Sequence, residues 1–201
     1  MSIKASIFVN TFYDIIGLKI QGVNELVEDT MEYKKQRNLT TILFTVYFFI
    51  LIWILLFKMS FSFNFSLDAI HGNRSINLIP FSESVIVNGK IYINEIINNI
   101  LVFVPVGIYT CMLNPKWPFI KKISLSFFIS LLIEVLQFVF AIGATDITDL
   151  IGNTLGGIVG IGIFYIFKKI FKNKTIKVLN ILASIATVVL VGLLSMLILA
   201  N

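Results

Sequence analysis

Apolar residues in this chain are grouped into long runs. Four runs are apolar for about the 17–25 residues that a helix needs to cross a membrane; they cover residues 40–57, 96–113, 123–142 and 178–200. A fifth run, 150–167, is equally long but richer in glycine. Stretches such as "YFFILIWILLF" are apolar on every face, and the alternation of a membrane β-barrel is missing. The pattern predicts an all-α integral membrane bundle of about five transmembrane helices.

Composition and charge refine this picture. Of 201 residues, 57% are hydrophobic and only 13% are charged. This hydrophobic fraction is larger than a water-soluble domain of this size can bury in its core. The basic residues cluster near 34–37, 116–122 and 168–177. Five crossings place all three clusters on one side, and the positive-inside rule makes that side cytoplasmic. We therefore expect a multi-pass protein with a cytoplasmic N-terminus and an extracellular C-terminus. We interpret the net charge of +5 as a topology signal whose basic residues also contact anionic lipid head groups, and we expect no nucleic-acid partner.

The chain is predicted to divide into three parts. Residues 1–38 carry apolar positions at roughly helical spacing among charged ones, which indicates an amphipathic helix at the membrane interface, divided at Gly17 and Gly22. A soluble helix docked on the bundle is the alternative. Residues 39–168 form the membrane domain, with an outer loop at 58–95, and residues 169–201 form a basic cytoplasmic loop and the last transmembrane helix.

The outer loop and the lone cysteine carry weaker signals. Asn88 and Gly89 between β-prone residues predict a small hairpin. His71, the only histidine, is interpreted as a surface residue, and no metal site is predicted. Cys111 lies in an apolar run and is expected to be a small packing residue.

Polar residues inside the third run share one helical face. Ser130, Glu134 and Gln137 are four and three residues apart and therefore project in one direction. An ionisable group at the depth of Glu134 costs a few kcal/mol unless it finds partners or water. Glu134 is expected to face the bundle interior. Its role is either functional or that of a structural hydrogen bond between helices.

The stretch "DITDLIGNTLGGIVG", residues 146–160, predicts a polar stripe on a helix that begins near its first aspartate. The stripe contains Asp146, Asp149, Asn153, Gly157 and Gly160. One aspartate can cap the helix N-terminus. The spacing of Gly152, Gly156 and Gly160 allows another backbone to approach closely.

The second run contains "NEIINNILVFVPVG", with Asn98 and Asn99 in its outer half and Pro105 further in. The proline frees the carbonyl of Leu101 and bends the helix. A bend with asparagines on its outer side favours a water-filled pocket.

Four motifs, "RSINLIPF", "NILVFVPVG", "SLLIEVLQ" and "DITDLIGNTLGG", follow one another in an order and spacing that resembles the VanZ-like family of bacterial membrane proteins over about residues 40–168. The resemblance implies the cell membrane of a Gram-positive bacterium. It also implies a link to teicoplanin resistance that does not extend comparably to vancomycin. The family's recurrent polar positions correspond here to Arg74, Asn77, Pro80, Asn99, Pro105, Glu134, Gln137, Asp146, Asp149 and Asn153.

One motif departs from the family pattern. Family members commonly have a glycine-arginine pair shortly before the first aspartate, whereas this chain has "AIGATD". Any mechanism in which that arginine pairs with the carboxylates or holds a phosphate is weakened. Arg74 in the outer loop is the candidate substitute.

Three functions are compatible with these residues. The first is an outward-facing polar pocket that engages a lipid-linked cell-wall precursor or the lipid tail of a lipoglycopeptide. Its expected lining is Arg74, Asn77, Asn99, Glu134, Gln137, Asp146, Asp149 and Asn153. Residues with an expected structural role are Pro80, Pro105, Gly152, Gly156, Gly157 and Gly160. Besides this ligand, membrane lipids are the expected partners, and no cofactor is predicted.

The second function is a membrane enzyme acting on a lipid-linked or cell-surface substrate. Glu134, Asp146 and Asp149 would then be acid/base groups or ligands of a divalent cation. No nucleophile arrangement, phosphate-cradling loop or nearby histidine supports catalysis. The third function is a membrane scaffold whose polar stripe fixes the helices. A scaffold would keep its activity after Glu134→Gln, because an amide still forms hydrogen bonds.

Overall fold

The computed structural model describes residues 2–57, 76–80, 93–140 and 145–199. His71, Arg74 and the predicted hairpin at Asn88 and Gly89 lie outside these residues. The described helices are α1 (Ser2–Phe57), α2 (Ile93–Leu113), α3 (Phe119–Phe140), α4 (Ile147–Phe171) and α5 (Thr175–Leu199). Two strands of two residues each, β1 (Ile76–Asn77) and β2 (Thr145–Asp146), pair in parallel.

The helices have the length and composition of membrane spans. The 21 residues of α2 extend about 32 Å at 1.5 Å per residue, close to the roughly 30 Å of the hydrocarbon core. The described residues contain 4 apolar helical stretches long enough to cross a membrane, and the last covers 47 residues, Ile147–Leu193. A 3-10 turn, Lys172–Lys174, divides this stretch into α4 and α5, and Lys172 adopts φ 49° there. The prediction of an all-α membrane bundle is confirmed.

Helix α1 corrects one expectation. It continues without interruption through Gly17 and Gly22, so the predicted division at these glycines is wrong. A glycine inside a helix costs only about 1 kcal/mol relative to alanine, and its backbone still forms the helical hydrogen bonds. The chain forms two compact units, Met1–Leu39 and Thr40–Asn201. In the first unit, Leu26 and Met31 are exposed, and Gln36 Nε2 donates a hydrogen bond of 2.9 Å to Glu32 Oε1.

Contacts within the second unit show the direction of its helices. Thr40, the first residue of α1 in the second unit, donates a hydrogen bond of 2.9 Å to Asn180 near the start of α5, and this contact defines one end of the unit. At the opposite end, Gln137 Nε2 near the end of α3 donates to the Leu55 carbonyl near the end of α1 (3.0 Å). We call the first end the lysine end, because it carries the lysines of 116–122 and 168–177. The other is the carboxylate end, with Glu134, Asp146 and Asp149.

Helix α2 packs most extensively against α4, and glycines form the contact. A Cβ atom at Gly156 would collide with the carbonyl oxygen of Ile100, and one at Gly160 with that of Val104. The close approach predicted from the glycine spacing is therefore confirmed. Its counterpart on α2 is Gly107, where a Cβ would meet the carbonyl oxygen of Gly157.

Two apolar clusters fill the second unit. The cluster nearer the lysine end contains Leu43, Tyr109, Cys111, Met112, Ile161, Phe164 and Leu179. The cluster nearer the carboxylate end contains Leu51, Leu55, Phe103, Val106 and Ile133. Cys111 has no exposed surface, as expected for a packing residue.

Candidate functional site

Polar side chains are concentrated at the carboxylate end, where α2, α3, α4 and β1 meet. We call this group the polar cluster: Asn77, Asn99, Ser130, Glu134, Gln137, Asp146, Asp149 and Asn153. All of its members are buried or half-buried. The structure therefore brings together every described residue that the sequence suggested for ligand binding.

Asp146 organises the start of α4. It is the N-cap residue, with extended backbone angles (φ −119°, ψ 124°), and its Oδ1 accepts a hydrogen bond of 2.7 Å from the amide of Thr148. Its Oδ2 accepts from Asn77 Nδ2 at 3.3 Å. This side chain satisfies one of the amides that have no partner inside the helix and also anchors β1. The predicted capping role is confirmed.

Glu134 on α3 binds the residue that precedes α4. Its Oε2 accepts a hydrogen bond of 3.1 Å from the backbone amide of Asp146, and its own carbonyl accepts from the Thr145 hydroxyl at 3.2 Å. Only 4% of its surface is exposed. A carboxylate near a helix N-terminus is favoured by the helix dipole, so this position suits a buried negative charge. Thr145 was not predicted, because the distance from Glu134 to β2 depends on a chain reversal between α3 and α4.

Asp149 and Asn99 join α4 to α2. Asn99 Nδ2 donates a hydrogen bond to Asp149 Oδ1, and Asn99 is 2% exposed. The pair can form because Gly152 lies against Asn99, where a Cβ would come within 3.3 Å of the Asn99 Cβ. The glycine stripe thus allows close packing and also leaves room for a buried amide.

Two further amides of the polar cluster each keep an oxygen without a protein partner: Asn153 in α4 and Gln137 near the end of α3. Asn153 Nδ2 donates to Ser130 Oγ (2.9 Å), while Gln137 Nε2 donates to the Leu55 carbonyl. Asn153 Oδ1 and Gln137 Oε1 are buried and accept no hydrogen bond from the protein. A buried acceptor left in this state costs about 1–3 kcal/mol. Both oxygens can therefore accept hydrogen bonds from water or from a ligand.

The segment 76–80 covers the carboxylate end. Asn77 is 7% exposed and is held by Asp146, while its Oδ1 accepts a hydrogen bond from the amide of Ile79 (3.1 Å), a turn typical of asparagine. The next two side chains point away from the protein, since Leu78 is 69% and Ile79 is 68% exposed. Pro80 follows and is also exposed. A buried asparagine thus presents an exposed apolar pair beside the carboxylates.

Pro105 lies away from the polar cluster. It lines an apolar cavity that also involves α1, α4 and α5. Asn99 is six residues earlier, about one and two-thirds helical turns, and therefore points in a different direction. Asn98 is nearly on the Pro105 face but is exposed. Pro105 therefore lines an apolar cavity, and the water-filled pocket beside the asparagines stays a prediction.

Lys122 is a buried residue that the sequence reasoning assigned to a basic loop. It is 1% exposed, and its Nζ lies 3.1 Å from the Tyr165 hydroxyl, 3.4 Å from the Pro115 carbonyl oxygen and 5.3 Å from the centre of the Tyr165 ring. A signal for its burial is present in the sequence. Lys122, Ser126, Ser130 and Glu134 follow at intervals of four residues on the buried face of α3.

Two predicted site residues remain, Gly157 and Arg74. Gly157 faces α3, because a Cβ there would collide with the hydroxyl of Ser126. Arg74 lies outside the described residues, so its pairing with the carboxylates stays a prediction. Among the described residues, no group of three or more His, Cys, Asp or Glu side chains is arranged to hold a metal ion.

Comparison with known proteins identifies the family of this chain. The sequence profile of the VanZ/LLP1 family matches residues 44–168, more than half of the chain. The chain belongs to the VanZ/LLP1 family. The matched range contains the whole polar cluster.

Among curated proteins, the chain is similar to Protein VanZ of Enterococcus faecium. The two are 36% identical over 117 residues, which are 58% of this chain and 69% of that protein. No solved structure matches significantly. All of α5 and the first 42 residues of α1 lie outside the range that the VanZ/LLP1 profile matches.

Proposed function

We propose that this VanZ/LLP1 protein modulates resistance to teicoplanin and related lipoglycopeptides. The carboxylate end would engage an amphiphilic ligand, either the lipid tail of the drug or a lipid-linked cell-wall precursor. Family membership and 36% identity to Protein VanZ support a resistance-related role. The choice of ligand is our inference from the chemistry of the carboxylate end.

One observation carries the proposal: Asn77 is buried in the polar cluster while its neighbours Leu78 and Ile79 are exposed. An amphiphile combines an apolar tail with a polar head. The exposed pair offers an apolar contact beside the bilayer, and the cluster beneath it offers carboxylate and amide groups. Asn153 Oδ1 and Gln137 Oε1 add acceptors that have no partner in the protein, and a hydroxyl- or amide-rich head group can donate to them.

The side of the membrane is also part of the proposal. Lys116, Lys121 and Lys168 are exposed at the lysine end, which the positive-inside rule assigns to the cytoplasm. The carboxylate end is then extracellular, where cell-wall precursors are used and where lipoglycopeptides act. In this orientation the C-terminus is extracellular as well.

A scaffold role is the second candidate, and a specific observation favours it. Each carboxylate of the cluster accepts a hydrogen bond from the protein: Glu134 from the Asp146 amide, Asp146 from Thr148 and Asn77, and Asp149 from Asn99. Such bonds between helices and loops stabilise the bundle without any ligand. The experiment must therefore separate a ligand site from a structural network.

The experiment expresses the protein in a sensitive Gram-positive host and compares the inhibitory concentrations of teicoplanin and vancomycin. We expect wild type to raise the concentration for teicoplanin several-fold more than that for vancomycin. Replacing both Leu78 and Ile79 by asparagine should abolish this protection, because it removes the apolar contact for the ligand. The abundance of the protein should stay equal, since exposed side chains contribute little to folding. Asp149→Asn should weaken protection, since it removes a charge and keeps an acceptor for Asn99.

Two variants complete the comparison. Glu28→Gln removes an exposed carboxylate from the first unit and should leave protection unchanged. Glu134→Gln keeps an acceptor for the Asp146 amide, so protection should fall only partly. Complete loss with Glu134→Gln at normal stability would favour catalysis or cation binding instead. Full protection in the Leu78/Ile79 double variant would favour the scaffold, and no protection from wild type would contradict the proposed function.

A further inference from the structure

The half of the bundle nearer the lysine end contains a cavity of about 320 Å³ that the polar cluster does not use. It lies between α5 on one side and α1, α2 and α4 on the other. The lining residues are Tyr47, Ile50, Pro105, Ile108, Tyr109, Met112, Ile163, Phe167, Leu179, Leu182, Ala183, Ala186, Thr187 and Leu190. Carbon atoms dominate this list, so the cavity is suited to a hydrocarbon group.

Three of these side chains carry a hydroxyl, Tyr47, Tyr109 and Thr187, and two of the hydroxyls are already used by the protein. The Tyr47 hydroxyl donates a hydrogen bond to the Val102 carbonyl, and the Thr187 hydroxyl donates to the Ala183 carbonyl at 2.8 Å. These two groups therefore do not attract water into the cavity, and Tyr109 carries the one other hydroxyl of the lining. Empty apolar cavities stay dry and bind apolar molecules.

The cavity has the length of one membrane leaflet. On α5 its lining runs from Leu179 to Leu190, which is about 16 Å at 1.5 Å per residue. This is about half of the roughly 30 Å hydrocarbon core. Leu179 lies near the lysine end, so the cavity extends from that membrane surface towards the middle of the bilayer.

The cavity also opens to the side of the bundle. Leu182 is 48% exposed although it lines the cavity, and Ala186, one turn further along α5, is exposed as well. In a membrane this side faces lipid. The side of the cavity next to α5 is therefore the side from which we expect a lipid chain to enter.

Positive charge marks the end of the cavity at the membrane surface. Phe167 and Leu179 line this end, and the turn Lys172–Lys174 lies five residues beyond each of them, about 7.5 Å along either helix. Lys168, Lys172 and Lys174 are exposed. An ammonium group at this level lies where the phosphate of a lipid in the same leaflet is found, and it attracts an anionic head group.

We propose that this cavity holds one acyl chain of an anionic phospholipid from the leaflet at the lysine end, with the lipid phosphate near Lys168, Lys172 and Lys174. The bound chain fills the space between α5 and the rest of the bundle. This site is separate from the carboxylate end, and the proposal does not depend on the function proposed for that end.

The test uses the full chain in nanodiscs of equal phosphatidylglycerol and phosphatidylcholine. The protein is released in mild detergent, and native mass spectrometry identifies the lipids that stay bound. We expect one retained lipid per protein, with phosphatidylglycerol enriched about fivefold or more, the effect of one lysine near a membrane surface. No retained lipid on wild type would overturn the proposal.

Matched variants on α5 locate the site. Ala183→Phe places a ring in the cavity and should abolish retention. Gly192→Phe adds the same bulk where nothing lies within 4 Å and should retain the lipid. Ala186→Phe, at the opening, provides a second test if the first variant does not fold. If both cavity variants retained as much lipid as the wild type, the proposed site would be overturned.

The same spectra test the head group and other occupants. Joint replacement of Lys168, Lys172 and Lys174 by glutamine should remove the enrichment of phosphatidylglycerol and keep one bound lipid. Equal retention of both lipids by wild type would overturn the anionic preference. A lipid-free dimer of the wild-type chain, converted to monomer by Ala183→Phe, would show that a second copy covers the cavity and would overturn the proposal.

Discussion

The backbone amide of Asp146 donates a hydrogen bond of 3.1 Å to the carboxylate of Glu134, which lies twelve residues earlier on α3. The bond joins a transmembrane helix to the N-cap of the next one. Because Asp146 also holds Asn77, this contact connects α3, α4 and β1. It makes a buried carboxylate part of the fold as well as part of the candidate site.

Glu134→Ala should therefore destabilise the protein more than Glu134→Gln. Alanine leaves the Asp146 amide without its acceptor, which costs about 1–3 kcal/mol, whereas glutamine keeps an acceptor oxygen. Thermal unfolding of the purified protein in detergent measures the difference, with Glu28→Ala as the exposed control. Equal midpoints for the alanine and glutamine variants would show that the hydrogen bond contributes nothing to stability.

Two glycines on α4 should respond in opposite ways to alanine. At Gly156 a Cβ would collide with the Ile100 carbonyl, so Gly156→Ala should cost about 1–3 kcal/mol or prevent folding. At Gly162 nothing lies within 4 Å, and alanine should stabilise the helix by about 0.4–1 kcal/mol. Size-exclusion profiles after heating report both effects. The packing assigned to α2 and α4 would be contradicted if Gly156→Ala were as stable as Gly162→Ala.

Adjacent lysines at the start of α3 should also differ. Lys122→Ala removes buried side-chain volume and the contacts with Tyr165 and Pro115, and we expect a loss of about 2–4 kcal/mol. Lys121 is exposed, so Lys121→Ala should change stability by no more than about 0.5 kcal/mol. The unfolding midpoints of the two variants provide the comparison. A neutral Lys122→Ala would mean that this lysine is not packed as described.

The orientation of the protein is testable by cysteine labelling. Cys111 has no exposed surface, so the wild-type chain should resist a membrane-impermeant maleimide on intact cells. Leu78→Cys places a thiol at the carboxylate end and should be labelled from outside. Lys116→Cys, in the exposed connection between α2 and α3, should be labelled only after the cells are opened. The reverse pattern would place the carboxylate end in the cytoplasm and contradict the proposed function.

Some expectations depended on a pattern that is local in the sequence, and these agree with the structure where it describes them. The apolar runs specify helices because length and composition decide whether a segment can cross a membrane. The N-cap role of Asp146 was predictable because an aspartate directly before an apolar helix can accept a hydrogen bond from a free amide of the first turn. The spacing of Gly152, Gly156 and Gly160 specifies a smooth helical face, whatever helix lies against it. Glycine alone did not predict a helix boundary in α1, because Gly17 and Gly22 lie inside the helix.

What the sequence by itself determined is therefore the membrane-spanning helices and the polar stripes that contain Glu134 and Asp149. Only the tertiary structure decided which faces meet: Glu134 with the Asp146 amide, Asn99 with Asp149, and Lys122 with Tyr165. It also decided that Pro105 lines an apolar cavity. These contacts join separate elements and depend on the rotation and depth of each helix. Packing against neighbouring helices sets this rotation and depth, whereas hydropathy does not.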